Sequence, residues 1–231
     1  MTGNSKKLIA YAAAIIILLC ASVVTFAVMT TRDVIRNPGD FVSRPVASTA
    51  SRLGEDFSMP PAGAEGRMNA SELAWMLRER IVMDVMEPFA MRGPALESYN
   101  ERVRAYNDRA RAIAYVDSDM NAAKRMVEER KGEIVRETIN AALKLSMPPD
   151  VSGDESSQRL WTVQMLLRAL AIYPDEPSGR ESDGTAYAIK SYETAIGLPP
   201  TGTVDDALVS RLIETCAAKL APADVGFDSG K

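Results

Sequence analysis

Val163–Leu212 reads VQMLLRALAIYPDEPSGRESDGTAYAIKSYETAIGLPPTGTVDDALVSRL, and the order of its apolar, turn and glycine residues decides the fold of this part of the chain. Val163, Leu166, Leu167 and Leu170 recur at three- and four-residue steps, the period of a helix with one inward face. The turn-rich run Tyr173-Pro174-Asp175-Glu176-Pro177-Ser178-Gly179 stops it. A second helix is expected from an N-cap at Thr185, with Ala188, Ile189, Tyr192 and Ile196 on its apolar face and Gly197 as its left-handed end. After the stiff turn Leu198-Pro199-Pro200-Thr201-Gly202, Asp205 or Thr203 caps a third helix that turns Leu208, Leu212 and Ile213 inward. The spacing predicts three short helices around one small core.

Val163-Gln164, Thr185, Ala188-Ile189, Tyr192-Glu193, Gly197-Leu198, Thr201-Gly202 and Asp205 stand in the order of a known signature. Residues 160–216 resemble the peptidoglycan-binding module found at the ends of many cell-wall hydrolases. The middle loop departs from that family's pattern, with Ser178-Gly179 where Asp-Gly is usual, Glu181 where an aromatic is usual and Ser182 where a second glycine is usual. The resemblance implies a three-helix bundle with a ligand groove near Ser178, Gly179, Arg180, Glu181, Asp183, Tyr187 and Tyr192. Of these, Tyr192 shares a helical face with Ala188 and Ile189 and is expected in the core.

Upstream, residues 8–30 carry no charge and are mostly Ala, Ile, Leu and Val. At ~1.5 Å per residue such a helix crosses a ~30 Å hydrocarbon core. The run is longer than the ~7 to 15 apolar residues of a cleaved signal peptide, so an uncleaved transmembrane signal anchor is expected. Lys6 and Lys7 before it and Arg32, Arg36 and Arg44 after it do not choose a side. The wall-binding resemblance chooses one: a cytoplasmic tail at 1–7 and a periplasmic body, held at a bacterial inner membrane.

Residues 31–68 are rich in Pro, Gly, Ser, Thr and Ala and read as a tether. The helical region follows at 69–146. Asn69 and Glu72 have the spacing of a capping box ahead of Leu73, Trp75, Met76, Leu77, Ile81, Val82, Val85, Met86 and Phe89. Pro88 and then Gly93-Pro94 interrupt that helix. Leu96, Tyr99, Val103, Tyr106, Ala110 and Ile113 then alternate steps of three and four, a coiled-coil seam. Met120, Val127, Ile134 and Ala141 continue it, while Val116 and Ala123 offer a shifted register. Asp117-Ser118 marks either a new helix start or a stutter in one long helix. The seam pairs within the chain as a hairpin or with a second copy or another envelope protein. Residues 147–159 read as a linker and 217–231 as a tail.

Composition excludes much chemistry. The chain has 231 residues and no histidine, which removes Ser-His and Cys-His activation and the usual His-ligated zinc sites. Glu97-Ser98 matches the start of a lytic transglycosylase motif without its downstream segment. Asp117, Asp119, Asn121 and Glu128 have calcium-loop spacing, but Ala122 replaces the turn glycine and Lys124 and Arg125 crowd the site. A net charge of −4 gives no reason to expect nucleic acid as a partner. Cys20 and Cys216 are not expected to pair, since the first lies in the apolar run and the second reads as a buried apolar residue.

The expectation is therefore an all-α protein with a transmembrane helix, a helical hairpin or coiled-coil stalk, and a three-helix peptidoglycan-binding-like bundle. It has no catalytic residues, metal or cofactor. Its expected role is to bind or position against peptidoglycan. The alternatives are a membrane-anchored scaffold whose module docks a protein, and a histidine-free wall glycosidase.

Overall fold

The computed structural model describes residues 57–63, 66–111 and 113–225. Every regular element among them is helical: α1 Ala70–Met86, a 3-10 turn Glu87–Phe89, α2 Gly93–Ala110, α3 Asp117–Ser146, α4 Glu155–Ala169, α5 Asp183–Ala195 and α6 Asp206–Leu220. None of these helices is long and apolar enough to cross a membrane. The span expected at 8–30, the tail at 1–7 and residues 31–56 lie outside the described residues.

The helix α1 starts on the expected capping box. Asn69 Oδ1 accepts from the N–H groups of Ser71 (3.0 Å) and Glu72 (3.1 Å), and Glu72 Oε2 accepts from the N–H of Asn69 (2.9 Å). Its apolar residues leave little solvent face, since Leu73, Ala74, Trp75, Met76, Leu77, Ile81, Val82, Val85 and Met86 are all buried. A helix apolar on nearly every side must be covered on nearly every side. The helix packs mainly along α3, and α2 lies against both.

The seam expected on α2 is only half-buried at Tyr99, Val103, Tyr106 and Ala110, and Leu96 is exposed while its neighbour Ala95 is buried. On α3 the seam takes Met120, Ala123, Val127 and Ile134, then Ala142 instead of the exposed Ala141. An α-helix has 3.6 residues per turn, so a 3.5-residue stripe drifts off its partner.

Between α2 and α3 the chain breaks, which resolves the choice at Asp117-Ser118 in favour of two helices. Val116 is the N-cap of α3, without a side-chain hydrogen bond, and Ala114 makes a parallel bridge with Arg67 as its carbonyl accepts from Met68 N–H (2.9 Å). The calcium-like residues Asp117, Asp119, Asn121 and Glu128 lie on this one helix, where Asp119 points away from Asp117 and Asn121 and Glu128 stands about 10 Å further along the axis, so they do not close around a cation.

The end of the stretch read as a tether is packed. Phe57, Pro60 and Met68 are buried. Arg78 and Arg130 stand over the Phe57 ring at 5.9 and 5.3 Å. Arg109 lies 5.5 Å from the Trp75 ring and donates from Nε to the Pro60 carbonyl (2.6 Å). The cations are held by π faces and a carbonyl, not by carboxylates alone.

The linker at 147–159 also carries structure. It turns at Pro148, buries Val151, and enters α4 through Asp154, whose Oδ2 accepts from Ser157 N–H (2.8 Å). The helix α4 packs on α6 and on the 3-10 turn, and α3 packs on α6, where Arg136 and Glu214 pair at 3.6 Å. The helices α4 and α6 therefore share packing with the helical region.

The helix α4 ends earlier than its turn residues suggest. Ala171 is left-handed (φ 61) and Ile172 N–H reaches the Leu167 carbonyl at 2.9 Å, closing the last turn before Tyr173. Asp205 caps α6, accepting from Leu208 N–H (2.7 Å). Leu208, Leu212 and Cys216 are buried, and Ile213 is half-buried. Burial pushes the Cys216 thiol pKa up to about 12, so the group is an apolar core atom at neutral pH.

The segment Lys190–Thr201 belongs to a separate compact unit. In it Gly197 is left-handed (φ 76), as expected, and Leu198 N–H closes on the Glu193 carbonyl (2.8 Å). Thr201 Oγ1 donates to Glu193 Oε1 (2.5 Å).

Candidate functional site

A single buried amide builds the loop between α4 and α5. Gln164 sits on the inward face of α4, fully buried among Trp161, Val163, Met165, Leu166 and Leu167. Its Oε1 accepts from the N–H groups of Ser178 (2.8 Å) and Gly179 (3.0 Å). Its Nε2 donates to the Arg180 carbonyl (2.9 Å) and Thr185 Oγ1 (2.9 Å). Both acceptor sites and both donors of the amide are used, and the two backbone N–H groups fix which end is oxygen.

Gly179 has to be glycine. Its φ is +68, and a Cβ there would stand 3.0 Å from the Ser157 carbonyl oxygen and 3.2 Å from both methyls of Val151. The next device corrects the expected cap. Ser182, not Thr185, caps α5: its Oγ accepts from Thr185 N–H (3.1 Å) and its carbonyl accepts from Ala186 N–H (3.1 Å). Thr185 lies inside the first turn, buried, with its hydroxyl 2.9 Å from Ser182 Oγ and bonded to Gln164. Either hydroxyl has cap chemistry, and the inward-facing amide decides which one stays in the helix.

The structure brings Ser178, Arg180, Glu181, Asp183 and Tyr187 to one exposed loop and helix start, with Tyr187 75% exposed. The other two residues expected at a groove, Gly179 and Tyr192, are buried. Gly179 shapes the loop through its backbone, and Tyr192, 2% exposed, is a core residue that offers no ring face to a ligand. Asp175 and Glu176 extend the exposed rim, which is acidic apart from Arg180. Arg168 donates to the Asp175 carbonyl (3.1 Å) and steadies that side. Among the described residues no group of three or more Cys, Asp or Glu side chains is placed to hold a metal.

Residues 156–212 match the family described as "Putative peptidoglycan binding domain". No curated protein and no solved structure matches the chain. The match covers α4, the loop, α5 and the start of α6, and it supports peptidoglycan as a partner of this module.

Within the matched segment, the departures from the usual loop become intelligible. Ser178 keeps part of an aspartate's turn chemistry, its Oγ accepting from Arg180 N–H (3.3 Å). Ser182, in place of a glycine, caps α5. Glu181, in place of an aromatic, is exposed and takes no part in the hydrogen bonds that build the loop. Gln164 and Ser182 hold the loop's backbone, while Glu181 stays on its surface.

Gln164 is the organising residue that a search for exposed polar groups misses. Its signal was present in the sequence as one amide inside an otherwise apolar helical face.

Proposed function

We propose that this is a non-catalytic, single-pass envelope protein that binds peptidoglycan through the loop over Gln164 and so positions the attached helical region near the wall. The observation that carries the reading is the fully bonded Gln164 frame inside the matched module. A loop held at Ser178, Gly179 and Arg180 by one buried amide presents its outer groups without first having to be ordered, which lowers the entropy cost of binding. Arg180, Glu181 and Asp183 offer charges to the carboxylates and amines of a wall peptide, and Tyr187 offers an open ring face to a sugar. In this reading residues 8–30 anchor the chain in the inner membrane with the body in the periplasm. The helical region serves as a spacer.

The test is co-sedimentation of the detergent-solubilised full chain with purified sacculi. Saturable pelleting, reduced several-fold in an Arg180→Ala/Tyr187→Ala double variant of unchanged melting temperature, is the expected result. Absence of pelleting across a range of salt concentrations removes the wall-binding reading. It would favour the second one, a module that docks a protein, to which Glu181 in the aromatic's place already points.

A further inference from the structure

The matched module does not stand alone at its ligand loop. The turn from the 3-10 segment into α2 comes up against it. Phe89, Met91, Arg92 and Ser146 from the helical region face Trp161, Met165 and Pro177 across a cleft with about 10 Å³ open to the centre of a water molecule. That is room for about one small group. Pro177 immediately precedes Ser178 and Gly179, the two residues pinned by Gln164. At the mouth of the cleft, Arg92 Nη1 pairs with Glu176 Oε1 at 2.5 Å.

The turn that carries Arg92 is itself fixed. Ala90 N–H bonds to the Met86 carbonyl (3.0 Å), Met91 N–H to the Phe89 carbonyl (3.0 Å), and Ser146 Oγ donates to the Phe89 carbonyl (2.9 Å). Gly93, at φ +59, redirects the chain into α2 just after it. Arg92 is the N-cap residue of α2, yet its side chain makes no capping bond. Its guanidinium thus has no structural duty beyond Glu176. Both partners are open to water, with side chains 62% and 60% exposed. Such a pair contributes little to stability, so a competing carboxylate can replace Glu176 at small cost.

The loop's own charges make that exchange useful. Asp175, Glu176, Glu181 and Asp183 share this exposed loop and helix start with the cation Arg180, so a ligand carboxylate arriving at this rim meets mostly like charge. Arg92 supplies a second cation, in a fork that accepts a carboxylate bidentately. The apolar cleft floor beside it, made by Phe89, Trp161 and Met165, suits a methyl group.

We infer that Arg92 of the helical region extends the ligand site of the peptidoglycan-binding module. It receives the terminal carboxylate of an alanine-ended wall peptide in place of Glu176. This rests on the wall-binding reading and goes beyond it, because it draws a residue from outside the matched segment into the site and names the part of the wall that it reads.

The experiment uses the full chain in detergent and two probes: sacculi, and a synthetic stem peptide ending in D-alanine, as free acid and as C-terminal amide. Arg92→Ala is expected to weaken binding of the acid about three- to five-fold and to leave the amide unchanged. Glu176→Gln, which frees the guanidinium, should tighten the acid two-fold or more. Arg92→Lys should fall between wild type and Arg92→Ala, since it keeps the charge and loses the fork. Equal losses for acid and amide in Arg92→Ala would reduce Arg92 to a structural role and overturn the inference. So would tighter binding of neither probe in Glu176→Gln. If wild type pellets with sacculi but does not prefer the acid, the carboxylate site falls and the wall-binding reading stands. If wild type does not pellet at all, both fall.

Discussion

The helices α2 and α4 begin from similar sequence patterns and reach opposite ends. Over 18 residues α2 buries only Ala95, whereas α4 buries seven of its 15, Gln164 among them. The apolar residues of α2 are sparse and interspersed with polar and charged ones, and two of its arginines reach across to other parts of the chain. Arg102 Nη1 reaches the buried Glu79 of α1 at 2.6 Å, and Arg109 spans from Trp75 to Pro60. The apolar residues of α4 are dense, with Leu160-Trp161 and Met165-Leu166-Leu167 adjacent, and the helix packs on α6 and the 3-10 segment while Gln164 holds the loop. A repeat therefore tells which face turns inward, while the density of apolar residues along it tells how far that face is buried. Desolvation on α2 is enough to raise the pKa of the Tyr106 hydroxyl, which stays neutral at physiological pH.

The sharpest way to break this comparison is to truncate one residue on each helix. Trp161→Ala should cost about 3–5 kcal/mol in urea denaturation, and Val103→Ala under about 1 kcal/mol because its site is already half open. Equal losses would show that α2 is held as firmly as α4. Next, Glu79 lies between Arg78 Nη1 (2.5 Å) and Arg102 Nη1 (2.6 Å), 5% exposed, and the Nε atoms of both arginines are buried without partners. Glu79→Ala leaves two cations facing an apolar helix. Since both arginines keep some contact with water, a loss of about 2–3 kcal/mol is expected, less than for a fully buried pair. A loss below about 1 kcal/mol would mean that α2 does not depend on its arginines.

Two left-handed glycines separate backbone conformation from crowding. Gly197→Ala, with nothing within 4 Å of its added Cβ, should cost about 1 kcal/mol for conformation alone. Gly179→Ala adds the collision with Ser157 and Val151 and should cost about 2 kcal/mol or more by thermal denaturation. Indistinguishable melting temperatures would mean that the loop yields easily and that Gln164 does not hold it.

The smallest effect is one of pH. Hydrogen bonds from Ser157, side chain first and then backbone, hold the Asp154 carboxyl below its usual pKa. A folded pKa lowered in this way contributes stability above the ordinary carboxylate value, and that contribution is lost as pH falls through the folded value. Asp154→Asn keeps a cap but cannot titrate. Its deficit in melting temperature against wild type should be present at pH 7 and close as the solution is made more acidic than the carboxylate range. A gap that does not change with pH would remove Asp154 as a titrating cap.

The carboxy-terminal module was largely legible because its signals are local. Leu166, Leu167, Ala188, Ile189, Leu208 and Leu212 all turn inward as their spacing requires, Gly197 takes the left-handed position and Asp205 caps α6. Less was legible at the loop. Ser178, Arg180, Glu181, Asp183 and Tyr187 lie together on the surface, but Gly179 and Tyr192 are buried, since burial depends on what lies above a residue. Leu96 and Ala95 exchanged roles for the same reason.

Among the described residues, the sequence alone determined most of the helical segments and the left-handed end at Gly197, and it excluded histidine chemistry. These follow from backbone sterics, helical period and composition, all of which act over a few residues. Only the tertiary structure decided that α2 and α3 are separate helices lying against α1, that Gln164 ties the loop between α4 and α5, and that Arg92 reaches Glu176. Each of those depends on groups far apart in the chain meeting at hydrogen-bond distance, and neither periodicity nor spacing encodes a partner.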